Sequence, residues 1–443
     1  MLIFELFLLF ALSLFFIKKS ASLDVKIIYI YLFICPFIQF LKALSLPYGF
    51  LFWGLLREVL ILSMIAGLLF RHKYIQRVRL TKKAQNLFFF LTWGIVLVFL
   101  TILNRDVYSA LDGYRYFFFP WLFGLVIFYF HSNEAYIDTK KIIKTFYWIA
   151  LLAVSIQWFE YFFLNIFDNV PQSLTYVNKR YPGYDSSSGG DFMSPFGWAK
   201  SMGIHFYRGY GIFLQPQTTS IFLAMLGVFF FKIRNNNYIK LNPINILFIY
   251  SGSFITFGWL GILSLIFTSI ILSLNLNQIK SFLASLFVIF IGLYLLDLEI
   301  VNFAVYYITS TIVDVYIDLM LFDINQYINA SNFLTFNVGH GFFAGELLKR
   351  DGLNTDSFAG ETFILRFVGQ IGLFGLLIIS SIIIKALLSN NFQDKNINYA
   401  FKGIIIVTII STLHYAAIRL TGVSDIFVAS CILLILNQNK ETS

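Results

Sequence analysis

The stretch RHKYIQRVRLTKKAQNLFFFLTWGIVLVFLTILN, from Arg71 to Asn104, decides the fold class. Its first part, Arg71 to Lys83, is rich in Lys and Arg and holds no acid, whereas the remainder is almost wholly apolar. A run of that length matches the roughly 20 residues a helix needs to cross a hydrocarbon core about 30 Å thick. Basic residues in short loops stay on the cytoplasmic side, so the same stretch also sets a direction.

Working outward, apolar runs recur along the chain. Membrane helices are expected at about 2–17, 27–44, 49–70, 86–104, 114–130, 144–166, 212–231, 244–257, 258–275, 281–297, 362–386, 402–417 and 424–437. Composition points the same way: 58% hydrophobic residues, 12% charged, 54 Phe and a mean hydropathy of +0.77 leave most of the length no polar face for water. The short alternating segments of a closed barrel are absent. The expected fold class is all-α, a single polytopic membrane domain over 1–443 with about thirteen transmembrane helices. The first run is short enough to resemble a signal-peptide core. No small-residue cleavage pattern follows it and Lys18 and Lys19 lie on its far side, so it is read as a helix.

When the spans alternate, the loops holding Lys18/Lys19/Lys26, Lys140/Lys141/Lys144, Lys232/Arg234/Lys240 and Lys395/Lys402 all fall on the side of Arg71–Lys83. The N-terminus is then outside and the C-terminus cytoplasmic. Anchoring of this kind accounts for the formal charge of +9 without nucleic acid as a partner. Cys35 and Cys431 fall inside expected spans, so no disulfide framework is implied.

Two long segments remain on the outer face, at about 168–211 and 298–361. The second includes the apolar run Val301–Met320. As a span it would carry Asp314 and Asp318 on one face in lipid, so it is read as a helix lying on the outer surface. The first loop keeps Tyr176, Tyr181, Tyr184, Phe196, Trp198 and Tyr207 among Pro, Gly and Ser clusters. Aromatics beside polar groups suit sugar rings, and they equally suit a membrane interface.

Arg57, Arg115, Arg180, Arg208, Arg366 and Arg419 lie outside the spans or toward their outer ends, where topology asks for no positive charge. A planar fork of donors suits a phosphate or diphosphate. Local carboxylates are the alternative partners: Glu58 beside Arg57, Asp112 before Arg115, Glu361 before Arg366 and Asp425 after Arg419. His340, between Gly339 and Gly341, has the intrinsic pKa for proton transfer near neutrality, and its glycines are expected to leave the backbone open to a bulky substrate. Asp356 and Glu361 are the fallback bases; all three also have an ordinary reading as loop or cap residues. Neither HExxH nor clustered Cys and His occurs, so no metal or other cofactor is expected.

Three segments carry a resemblance. RGYGIFLQPQTTSIFLAML (Arg208–Leu226), FNVGHGFF (Phe336–Phe343) and ETFILRFVGQIGLFGLL (Glu361–Leu377) together resemble the O-antigen polymerase and O-antigen ligase family of bacterial membrane proteins. The chain departs from that pattern at the hairpin tip Thr256–Trp259, where the family often has a Ser-Arg pair, and no arginine precedes Gly-His-Gly in the second loop. Positive charge must then come from elsewhere, such as Arg115, Arg366 or Arg419.

The resemblance implies a GT-C-like integral-membrane glycosyltransferase at the outer face of the bacterial inner (plasma) membrane. Its donor and acceptor would be undecaprenyl-diphosphate-linked glycans, with membrane lipids around it and a chain-length regulator and a flippase as partners. Polymerisation of repeat units into O-antigen, capsule or exopolysaccharide is the favoured activity. A ligase shares the chemistry and differs in acceptor, whereas a flippase would pack charge around a central cavity and keep short loops.

Overall fold

The computed structural model describes residues 23–45, 50–70, 82–104, 106–132, 138–166, 210–234, 242–256, 259–273, 333–339, 341–342, 363–412 and 421–436. The spans expected at 2–17 and 281–297, the surface helix at 301–320 and most of the two loops lie outside the described residues.

All regular structure among the described residues is helical. In chain order it comprises α1 (Leu23–Ile34), α2 (Ile38–Leu44), α3 (Phe50–Phe70), α4 (Lys82–Asn104), α5 (Val107–Phe117), α6 (Phe119–Ser132), α7 (Thr139–Asn165), α8 (Pro216–Ile233), α9 (Pro243–Ile255), α10 (Trp259–Ser273), α11 (Phe333–Val338), α12 (Phe363–Leu388), α13 (Lys395–Thr412) and α14 (Val423–Ile435). Among the described residues five helical stretches are long and apolar enough to cross a membrane: Lys26–Leu44, Gln85–Asn104, Thr139–Phe163, Pro216–Ile233 and Val368–Leu388. The chain is an all-α membrane protein.

Several expected spans are interrupted, each for a local reason. Pro36 closes α1, because a proline gives up its N–H and its ring crowds the carbonyl four residues back. A single 3-10 turn, Cys35–Phe37, carries the chain into α2. The run at 114–130 is two helices: Asp106 caps α5 by accepting a hydrogen bond from Ser109 N at 2.7 Å, and α6 begins afresh at Phe119. Arg115 therefore belongs to the short helix α5 rather than to a span. Ahead of α8 lies a 3-10 turn, Gly211–Phe213, followed by Leu214 in the left-handed region. Within α12, Gly372 (φ 68°, ψ 174°) breaks the helical path.

The core is built on α8 and α14, both buried along most of their length. α8 packs against α13, α10, α9 and α7; α14 packs against α6, α13 and α12. Phe229 sets its ring against Phe146 and Phe401, and Phe401 stacks on Phe392. Cys35 and Cys431 are buried and unpaired.

Side-chain bonds gather one set of helix ends. Asp138 N, ahead of α7, donates to Tyr29 Oη, midway along α1, at 3.0 Å. Lys232, closing α8, reaches Leu272 O and Ser273 Oγ at the end of α10, and Asn391 Nδ2 donates to Leu434 O near the end of α14 at 2.7 Å. Toward the opposite helix ends lies a second set of polar contacts.

Candidate functional site

Glycines form the first contact. Gly339 (φ 94°), Gly341 (φ 90°) and Gly372 (φ 68°) all take a backbone that side-chain-bearing residues avoid. Two of them meet, since a Cβ on Gly339 would stand 2.7 Å from Gly372 N, whereas one on Gly341 would stand 2.7 Å from Thr101 Oγ1 in α4. Gly372 in turn faces the backbone of Asn337, Val338 and Gly339. Thr101 Oγ1 accepts from Phe342 N at 2.8 Å, and the buried Phe342 ring stacks on Phe117 at 5.7 Å. Trp93 Nε1 donates at 2.8 Å to Ile371 O, the carbonyl just before the break in α12. The glycines flanking His340 thus correct the expectation drawn from their spacing. They face protein, Gly339 against α12 and Gly341 against α4, and Phe342 beyond them packs on α5.

A second group centres on Arg57, 3% exposed, and Asp425, 1% exposed. Arg57 Nη2 lies 3.5 Å from Asp425 Oδ1, Nε donates to Tyr31 Oη at 3.3 Å, and Nη1 donates to Thr421 Oγ1 at 2.9 Å. Asp425 Oδ1 also accepts from Tyr31 Oη at 2.7 Å, while Oδ2 accepts from Gly422 N at 2.8 Å. The N-terminus of α14 favours an anion there, since its free N–H groups and dipole point at the carboxylate. Arg57 is thus paired with Asp425 and not with its neighbour Glu58. Glu58 instead bonds Arg115, which also donates to Gly54 O at 2.7 Å and lies 3.9 Å from Asp112.

The third group surrounds Glu160, 1% exposed near the end of α7. Its Oε2 accepts from Tyr210 N at 3.1 Å and Gly211 N at 2.5 Å. Thr219 Oγ1 donates to Tyr210 O at 2.6 Å, so the turn is held from both sides. Gln157, fully buried one helical turn earlier, stands against Gly211, and neither polar atom of its amide has a partner among the described residues.

These groups are contiguous. A Cβ on Gly422 would lie 2.8 Å from Pro36 Cα and 3.2 Å from the Phe213 ring, so the N-terminus of α14 meets the turn that Glu160 holds. Arg57 and Glu58, adjacent on α3, connect α14 to α5, and α5 with α6 carries Phe117 and Phe118 to Phe342.

Of the candidate residues, Arg57 and Arg115 are seen in full, each on a carboxylate. Arg366 lies in the first turn of α12, with its side chain outside the described residues. His340, Asp356, Glu361, Arg180, Arg208 and Arg419 also lie outside them. The structure does fix the chain beside three of these: His340 falls between Gly339 and Gly341, Arg208 two residues before Tyr210, and Arg419 two residues before Thr421. Sequence reasoning passed over Glu160, Gln157, Thr101, Trp93 and Tyr31. A signal existed for Glu160, an ionisable residue inside an expected span.

Among the described residues no group of three His, Cys, Asp or Glu could hold a metal ion. No family model matches the chain, and no curated protein sequence matches it. Fold and site define an all-α membrane protein in which three groups of buried polar and glycine contacts adjoin one another.

Proposed function

We propose that this chain is a polysaccharide polymerase, an integral-membrane glycosyltransferase that joins undecaprenyl-diphosphate-linked repeat units at the outer face of the bacterial inner membrane. The observation that carries the reading is the contiguity just described. Chain segments beside Arg208, His340 and Arg419 run into one connected set of contacts, although they lie far apart in sequence. Two of the three segments that resemble the polymerase and ligase family meet directly, Gly339 on Gly372, and the contact chain links the third to them.

In this reading the layout is GT-C-like, with about thirteen spans, the N-terminus outside and the C-terminus cytoplasmic. A hydroxyl of the acceptor sugar attacks the anomeric carbon of the donor. The new C–O bond forms as the bond to the diphosphate breaks, and the diphosphate leaves with the electron pair. Arg208, with Arg180, Arg366 and Arg419, grips the growing charge. His340, backed by Asp356 and Glu361, takes the hydroxyl proton. Arg57 and Arg115, tied to carboxylates, shape the floor of the site.

Deletion of the gene followed by electrophoresis of surface polysaccharide tests the activity. Single-repeat material is expected. Unligated polymer would make the protein a ligase, cytoplasmic accumulation of the lipid-linked unit would make it a flippase, and unchanged polysaccharide would overturn the reading. In purified protein, Arg208→Ala should slow polymer formation by about 10² to 10³. His340→Ala should slow it by about 10² to 10⁴ while leaving donor binding intact.

A further inference from the structure

We propose that the groove between α4 and α12 is a binding site for an anionic phospholipid, one of whose acyl chains lies along it. Asn86, Phe89, Trp93 and Val96 of α4, with Ile378 and Ser381 of α12, line a groove of about 380 Å³. The polar hydrogens along it are already placed within the protein. Asn86 Nδ2 donates to Ser381 Oγ at 3.0 Å, Ser381 Oγ to Ile378 O at 2.7 Å, Thr92 Oγ1 to Phe88 O at 3.0 Å and Trp93 Nε1 to Ile371 O at 2.8 Å. What remains for an occupant is hydrocarbon and an indole ring, which suits an acyl chain better than a sugar. The groove also lies where lipid does: the spans Gln85–Asn104 and Val368–Leu388 are 33% buried over their apolar windows, against 50% or more for the other three among the described residues.

Length and charge select the occupant. From Asn86 to Val96 a helix rises about 15 Å, half of a hydrocarbon core about 30 Å thick. Asn86 stands one residue inside the start of its span, so the groove covers a single leaflet, the one at the N-terminus of α4. That is the depth one acyl chain of a phospholipid fills. At the same end α4 opens with Lys82 and Lys83, and Lys385 stands in the last turn of α12, one turn past Ser381. Neither helix carries an acidic residue. Lysines at a membrane surface draw anionic lipid by electrostatic attraction. The groove is separate from the contacts of the second loop, since Thr101, which bonds Phe342, lies about 22 Å of helix rise beyond Asn86.

The test places the full chain in phosphatidylcholine vesicles and adds phosphatidylglycerol with brominated acyl chains, which quench a tryptophan they touch. The part due to Trp93 is the difference between the protein and Trp93→Phe. Half of that quenching is expected at a mole fraction about tenfold below the one needed with brominated phosphatidylcholine. The triple variant Lys82→Gln, Lys83→Gln, Lys385→Gln should lose this preference, and molar salt should shrink it. Equal mole fractions for the two lipids, a preference that survives in the triple variant, or quenching that Trp93→Phe leaves unchanged would overturn the proposal. Quenching by neither lipid, with Phe89→Cys forming a disulfide between two chains, would give the groove to a second copy and overturn it as well. Should Trp93→Phe fail to accumulate in membranes, mass spectrometry of the detergent-solubilised protein counts retained phosphatidylglycerol directly. Val96→Phe, which narrows the groove, should then lose one retained molecule, and equal retention would be the overturning result.

Discussion

Two ion pairs leave adjacent residues of α3 and meet different media. Arg57 and Asp425 are 3% and 1% exposed, and their remaining bonds go to Tyr31, Thr421 and Gly422 on other segments. Arg115 and Glu58 are 32% and 14% exposed, and Glu58 Oε2 has no partner among the described residues. Separating charges in a dry interior leaves each one stranded, whereas a half-exposed charge can turn to water. The first pair therefore holds helices together. The second is the looser of the two, with one carboxylate oxygen of Glu58 left unbonded among the described residues.

The sharpest test of that contrast is Arg57→Ala, which strands Asp425 and should destabilise the protein by about 3–5 kcal/mol. Thermal unfolding in detergent and the level of protein in the membrane would both register it. The double variant Arg57→Met, Asp425→Leu should recover most of the loss, since an apolar pair needs no compensation. A double variant as unstable as the single would mean that the shape of the bonds, and not charge, is what matters.

Gly372→Ala comes next. It forces a side chain into a backbone contact at φ 68°, ψ 174°, and about 1–3 kcal/mol of strain is expected. Protease cleavage between residues 343 and 361 should quicken as the loop's seat loosens; unchanged cleavage would detach the seat from the loop. Arg115→Ala should cost about 1 kcal/mol or less and should respond to salt, as a partly exposed pair does. A loss as large as that from Arg57→Ala would erase the distinction between the pairs. The smallest effect expected is that of Asp106→Ala, which removes the cap of α5, costs about 0.5–1 kcal/mol and is readable in the same melts.

The helices were legible because an apolar run of membrane length has few other uses, and α3, α4, α7 and α12 begin and end close to where the runs do. Interruptions were harder to see. Pro36 stands in plain view inside an apolar run, but span reading counts hydrophobicity and passes over one proline. The division at Phe118 leaves no mark, because apolar residues continue through it; the cap at Asp106 was the available sign. Partners of the arginines were sought among nearby residues, which served for Arg115 and Asp112. The partner of Arg57 lies 368 positions away, set by packing that no local pattern records. Glycine spacing announced an unusual backbone at 339–341 but not what would press against it.

The union of Gly339 with Gly372 has one more consequence. It is made by main chain against main chain, with Gln370 O, Gly372 N and Asn337 O as the touching atoms. Such a joint does not read side chains, apart from the glycines themselves. Residues along 343–361 can therefore change in sequence without altering the atoms of this joint. A joint of main chain alone leaves sequence beyond it free to drift while the helices that carry it stay as they are.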